Sequence, residues 1–186
     1  MAYSNLEKIH KRKEVPKKIK PKITKPKATP VKKQKKSDKS SIFCYTDGSY
    51  TNKNNSGSWC AYLDCCGVST LLFGAVQGTT VNRMELTAVI EALSFIKEPS
   101  IFYIKSDSAY VVNSISKRWV HNWAKHNWKT YSGNDVSNQD LWMKVLELLK
   151  VHTVYMIWVK GHSGEPGNEL VDGVAQYWRK NRYPYR

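Results

Sequence analysis

Long apolar runs are missing from this 186-residue chain. None approaches the ~18 residues that a helical membrane span needs. The opening stretch has no apolar signal-peptide core either; it is polar and lysine-rich. Cysteine is scarce: Cys44, Cys60, Cys65 and Cys66 are the four, and none stands in the paired spacing of a structural zinc site. We therefore expect free thiols and an intracellular, reducing compartment, with nucleus and cytoplasm not distinguished. Cys44 and Cys60 should lie on strands, and the Cys65-Cys66 pair at a hairpin turn. Aromatic residues are almost absent from residues 1–40, where Tyr3 stands alone. Acids are rare there too.

That last scarcity divides the chain. Residues 1–40 carry 15 Lys/Arg against Glu7, Glu14 and Asp38, which is +12 of the formal +15. Residues 41–186 hold 15 basic and 12 acidic groups, a near balance. Two objects are joined: a basic tail over 1–40 and a domain over 41–182. Pro16, Pro21, Pro26 and Pro30 break any continuous helix, and like charges hold the segment open, so the tail is expected to be disordered. Such a tail can tether a polyanion without regard to sequence. It can equally serve as a linker, or as a localisation signal through Lys32-Lys33-Gln34-Lys35-Lys36.

The domain reads as alternating elements. Ile42–Thr46 is a β-prone strand that Asp47-Gly48 should close, followed by a loop over 51–57. Strands over Ser58–Leu63 and Val68–Val76 make a hairpin around Asp64–Gly67. Met84, Ala88, Ala92 and Ile96 recur at helical spacing, so a helix is predicted over 81–97, capped by Thr79 or Thr80 and stopped by Glu98-Pro99. A short buried strand, Ile101–Ile104, leads to Asp107. Helices over 109–116, 118–126 and 138–150, a strand over 154–159 and a helix over 165–182 complete the set. The fold class is α/β, a mixed five-stranded sheet flanked by helices.

Four acids stand out against this pattern: Asp47, Glu85, Asp107 and Asp172. If the first and fourth strands are parallel neighbours, Asp47 and Asp107 emerge at one end of the sheet. Glu85, one turn into the 81–97 helix, can point to the same place while Met84 and Ala88 face the sheet. Asp172 can enter from the last helix. Acids gathered this way resist ionising together unless cations neutralise them, and hard divalent ions prefer oxygen ligands. Metal-dependent hydrolysis is the chemistry this pattern points to.

The blocks Thr46-Asp47-Gly48-Ser49, Asn82-Arg83-Met84-Glu85-Leu86, Asp107-Ser108, Trp119-Val120-His121-Asn122-Trp123, Val159-Lys160-Gly161-His162-Ser163-Gly164 and Gly167-Asn168-Glu169-Leu170-Val171-Asp172 together resemble the type 1 ribonuclease H family. The resemblance runs over roughly 41–180. It implies a ribonuclease H-like fold and endonucleolytic hydrolysis of RNA in RNA–DNA hybrids, leaving 5′-phosphate and 3′-hydroxyl ends. It also implies that Asp47, Glu85, Asp107 and Asp172 are the ligands of two metal ions, Mg²⁺ first and Mn²⁺ as an alternative. His162 matches the family histidine of proton transfer or product release, and Asn168 a residue near the attacking water.

For the substrate, Gly48, Ser49, Asn82 and Met84 match positions near the RNA path, where a 2′-hydroxyl can be demanded. Trp119 and Trp123, four residues apart, share one helical face and suit deoxyribose, with Lys125 among the interleaved cations of a basic handle. Helix packing is the plainer role for Trp123. Thr80 and Asn138 match a phosphate pocket on the DNA strand. Val81 and Gly78 stand where relatives carry Asn and Arg, and the segment before Trp119 is one residue longer than usual. The start at Met1 and a complete handle lead us to expect a free-standing, monomeric enzyme rather than part of a reverse transcriptase. A non-catalytic binder on the same fold, or a structure-specific DNA nuclease, are the other readings. The retained acids and His162 speak against the binder, and the tryptophan pair against the DNA nuclease.

Overall fold

Alternation dictates the central strands. In β1 (Ser41–Thr51), Ile42, Cys44 and Thr46 turn to one face and are buried. In β4 (Ile101–Ser106) the same holds for Phe102, Ile104 and Ser106. The period of two puts both sets on the same side of the sheet. The computed structural model describes residues 41–182. Residues 1–40 and 183–186 lie outside the described residues, and with them the reading of the basic tail.

Strands β2 (Ser56–Cys65) and β3 (Val68–Gln77) form a hairpin. Helix α1 (Val81–Phe95) leads into β4, which is followed by α2 (Ala109–Ser116), α3 (Trp119–Lys125), α4 (Gln139–Val151), β5 (Thr153–Trp158) and α5 (Pro166–Arg182). The five strands form one sheet in the order β3-β2-β1-β4-β5. The β1–β2 and β2–β3 pairs are antiparallel, and β1–β4 and β4–β5 are parallel. The mixed sheet read from the sequence is the one observed.

Helix α1 starts where Thr80 accepts a hydrogen bond from the Arg83 N–H at 3.3 Å, which satisfies one of the open donors of the first turn. Its residues Leu86, Val89 and Leu93 are fully buried in the main core beside Trp142 of α4 and Phe102 of β4. Each such aliphatic side chain contributes about 1.5–3 kcal/mol by leaving water. The helix stops at Phe95 rather than 97, because Ile96 already turns to extended backbone ahead of Pro99. On the other face, α5 packs Val171 and Ala175 against Cys60, Tyr45 and Tyr62.

One expectation needs correcting. Asp47-Gly48 does not close β1: the strand runs on to Thr51, paired with β2 as far as Thr51↔Ser56, and the predicted loop shrinks to the turn between them. The parallel ladder with β4 does end at Tyr45↔Lys105. Beyond that point β1 keeps a partner on one side only, and Asp47 gains an open flank while its backbone stays in a strand.

Candidate active site

The acids meet at that open flank. Asp47 lies just past the last β1–β4 pair, and Asp107 directly follows β4. Glu85 reaches the same place because strand and helix almost touch. A Cβ built on Gly48 would run into the backbone N of Glu85 and lie 2.7 Å from the carbonyl carbon of Met84. Only a glycine permits that approach. The Gly48 N–H beside it favours the charged form of the Glu85 carboxyl, though burial outweighs this. Ligand atoms of Asp47, Glu85 and Asp107 lie within 4.8 Å of one another. His162, Glu169 and Asp172 form an adjoining group of the same tightness, with His162 Nδ1 3.6 Å from Asp172 Oδ2.

Burial sharpens the charge problem. Asp47 and Glu85 are 5% and 6% exposed. Burial first, then the charges of Asp107 and Asp172, push Asp47 up to about 7, against the smaller pull of the Gly48 N–H and His162. Glu85 is held well above the usual carboxylate range by burial, then by Asp47 and Asp107. Glu85 Oε2 is buried and has no hydrogen-bond partner among the described residues, a costly state for a polar atom. The donor set is all oxygen, since the Cys60 thiol opposite Asp47 is pushed up to about 12 by burial and stays protonated. Clustered, buried, unneutralised carboxylates with a spare oxygen fit hard divalent cations such as Mg²⁺ or Mn²⁺.

Asn168 is 2% exposed and donates through Nδ2 to Asp107 Oδ2 at 3.2 Å, while its buried Oδ1 has no protein partner among the described residues. His162 is exposed, with left-handed backbone (φ 51°), in the turn between β5 and α5. Gln176 donates to Asp172 Oδ1 at 2.8 Å, and the Trp158 indole to the Asp107 carbonyl at 3.2 Å.

The substrate contacts predicted from sequence occupy separate elements. Trp119 and Trp123 line a cavity of about 730 Å³ with His126, Lys129 and Tyr131. Trp119 is 39% exposed, and Lys117 Nζ stands 5.5 Å from its ring centre. Trp123 turns its edge to Trp142, 5.7 Å away, and so also belongs to the core. Lys125 is exposed. His121 is held below its ordinary pKa first by burial, then by the charges of Arg118 and Lys125. Arg118, with a left-handed φ of 58°, separates α2 from α3 just before Trp119. Thr80 and Asn138 lie at the starts of α1 and α4, which the Arg83–Asp140 pair ties together at 2.7 Å. Gly78 has φ +69°, a left-handed backbone in which any side chain would be strained. Asn82 is exposed, Met84 is 3% exposed, and Ser49 accepts a hydrogen bond from Arg179 at 2.8 Å.

Sequence reading passed over Tyr45, Lys105 and Glu165. Tyr45 Oη and Lys105 Nζ both donate to Glu165 Oε1, at 2.5 and 2.6 Å. A signal existed: Tyr45 and Lys105 each precede a site acid by two residues, on one strand face. It missed Glu169 as well, whose Oε1 accepts from the Gly164 N–H at 3.2 Å.

The RNase H family profile matches residues 39–179. A ribonuclease H of Caldicellulosiruptor saccharolyticus is 44% identical over 135 residues, covering 73% of this chain and 93% of the relative. That of Chlorobium phaeobacteroides is 44% identical over 140 residues, covering 75% and 96%. Among solved structures, LC9-RNase H1, described as a type 1 RNase H with the type 2 active-site motif, superposes with a TM-score of 0.69. It is 27% identical, covering 80% of this chain and 76% of that one. The fold is thus that of a nuclease class whose members use divalent metal. The chain belongs to the ribonuclease H family, and the enzyme is a ribonuclease H, a hydrolase of RNA–DNA hybrids.

Proposed function

We propose that this ribonuclease H cuts the RNA strand of RNA–DNA hybrids internally, with two divalent ions, leaving 5′-phosphate and 3′-hydroxyl ends. The observation that carries the reading is the tight, unneutralised set of buried Asp47, buried Glu85 and half-buried Asp107, with a spare oxygen on Glu85. Asp47, Glu85, Asp107 and Asp172 are the ligands, Mg²⁺ is the ion and Mn²⁺ its alternative. When bound, the ions supply Lewis acidity toward the attacking water and the leaving oxygen.

The side chains do the rest. Asn168, with Nδ2 committed to Asp107 and Oδ1 spare, orients a water through that oxygen. His162, exposed beside Asp172, moves the proton at the leaving 3′-oxygen and helps release the product. Gly48, Ser49, Asn82 and Met84 border the RNA strand, where backbone amides and Asn82 meet the 2′-hydroxyl; the buried Met84 side chain shapes this wall and does not reach out. Trp119, Trp123 and Lys125 take the DNA strand, excluding a 2′-hydroxyl from the indole wall while the cation meets phosphate. Thr80 and Asn138 hold a DNA phosphate farther along. Residues 1–40 add charge-driven, sequence-independent affinity.

End-labelled RNA–DNA duplex, incubated with Mg²⁺ beside RNA–RNA, DNA–DNA and single-stranded RNA, tests this. Internal cuts confined to hybrid RNA and stopped by EDTA are expected. Tight hybrid binding without cleavage in Mg²⁺ or Mn²⁺ would leave only a binding module.

A further inference from the structure

We infer that Tyr45, Lys105 and Glu165 are positioning residues for the loop that carries His162, an inference that rests on the proton-transfer role proposed above. The loop joins β5 to α5 and runs from Val159 to Glu165. Its first end is pressed on the site: a Cβ on Gly161 would fall 2.7 Å from Asp107 Oδ2. Its other end is tied to the sheet. Glu165 Oε1 accepts from Tyr45 Oη at 2.5 Å and from Lys105 Nζ at 2.6 Å. Lys105 also donates to Tyr45 Oη at 3.0 Å and stands 5.0 Å from the centre of its ring.

Tyr45 and Lys105 are the last residue pair of the β1–β4 ladder, two positions before Asp47 and Asp107 respectively. The strands that aim the two acids therefore also hold the end of the histidine loop. A second contact fixes the same joint: a Cβ on Gly167 would collide with the Tyr45 ring. Between its two held ends the loop has little of its own, with left-handed backbone at His162 and Gly164 and single bonds from Ser163 to the Lys160 carbonyl and from Gly164 to Glu169.

The Lys105 and Glu165 side chains are 34% and 31% exposed. An ion pair that open contributes little to global stability. Its effect is local and geometric: it decides where the loop rests, hence where the imidazole stands relative to Asp172 and the leaving oxygen. Misplacing a proton-transfer group lowers turnover more than binding.

Glu165→Gln and Lys105→Met test this, each made also in a His162→Ala background, with Lys105→Glu/Glu165→Lys as the swapped pair. On hybrid substrate, each single variant should lose about five- to tenfold in kcat with KM within twofold. The loss should vanish once His162 is gone, and the swapped pair should recover part of it. Independently of cleavage, hydrogen exchange at the 160–165 amides should quicken in the metal-free single variants while the melting temperature stays within ~2 °C. Equal losses with and without His162, or unchanged exchange at 160–165, overturn the inference. Absence of hybrid cleavage by the wild-type protein would instead overturn the proposed function, and the exchange result would still judge the loop anchor.

Discussion

Replacing Asp47 with Asn should destroy cleavage and, without metal, make the protein more stable. Asp47 rises from an ordinary 3.8 to about 7 because it is buried among other carboxylates. At ~1.4 kcal/mol per unit, the ionised form costs up to about 4 kcal/mol at pH 8. Sharing of charge with Glu85 and relaxation of the site reduce that, so about 1–3 kcal/mol is the expected gain on substitution. The sign follows from the direction of the shift. An acid raised on folding is protonated more readily in the folded state. Stability is then full below the unfolded value near 3.9 and falls as pH climbs to about 7.

For a domain of this size the gain corresponds to a rise of about 3–10 °C in melting temperature at pH 8 with EDTA. It should shrink to nothing at pH 4, where the wild-type side chain is protonated as well. Saturating Mg²⁺ should reverse the order, since the ion stabilises the wild type by mass action and finds a broken ligand set in Asp47→Asn. Thermal melts of both proteins at pH 4 and pH 8, with EDTA or Mg²⁺, contain the whole test. If Asp47→Asn melts at or below the wild type at pH 8 in EDTA, the acids are not strained by mutual repulsion. Mg²⁺-dependent turnover by a preparation free of other nucleases would sink the metal site itself.

Deleting residues 1–40 should weaken hybrid binding at low salt and flatten its salt dependence while sparing the cut. A folded truncated domain that is inert at saturating substrate would refute the division of labour. Gly48→Ala should lower both stability and turnover. The new methyl group would lie 2.7 Å from the Met84 carbonyl carbon and closer still to Glu85 N, so α1 must shift at a cost of about 1–3 kcal/mol. Turnover should fall on the order of 100-fold as Glu85 moves off the site. Wild-type melting and kcat would show that the strand and helix are not in the close contact described.

Helix α1 was legible almost to its ends because three independent signals agree: apolar spacing, a Thr80 cap and Pro99 beyond its end. Strand β1 was misjudged for a specific reason. Asp-Gly is a strong turn signal where the chain is free to turn. Here Gly48 is needed inside the strand for its missing side chain, and β2 supplies backbone partners out to Thr51. A local signal was overruled by the contact of an element 37 residues away, which no window on the chain can display.

The candidate site divides the same way. Its four acids could be picked out only as a set: each alone reads as a turn former or a solvated helical residue, and the joint pattern with its flanking residues is what sets them apart. Their protonation could not be picked out, since the rise of Asp47 is set first by burial and then by Asp107 and Asp172, which only the fold brings near. Tyr45, Lys105 and Glu165 lie deeper in that blind region. Each alone reads as an ordinary strand or loop residue; their meeting depends on the β1–β4 register and on the path of the loop back from β5. What a sequence displays best is therefore the chemistry, because reactive groups must be of fixed type. The residues that hold that chemistry in place can be of many types, and they become visible only as distances.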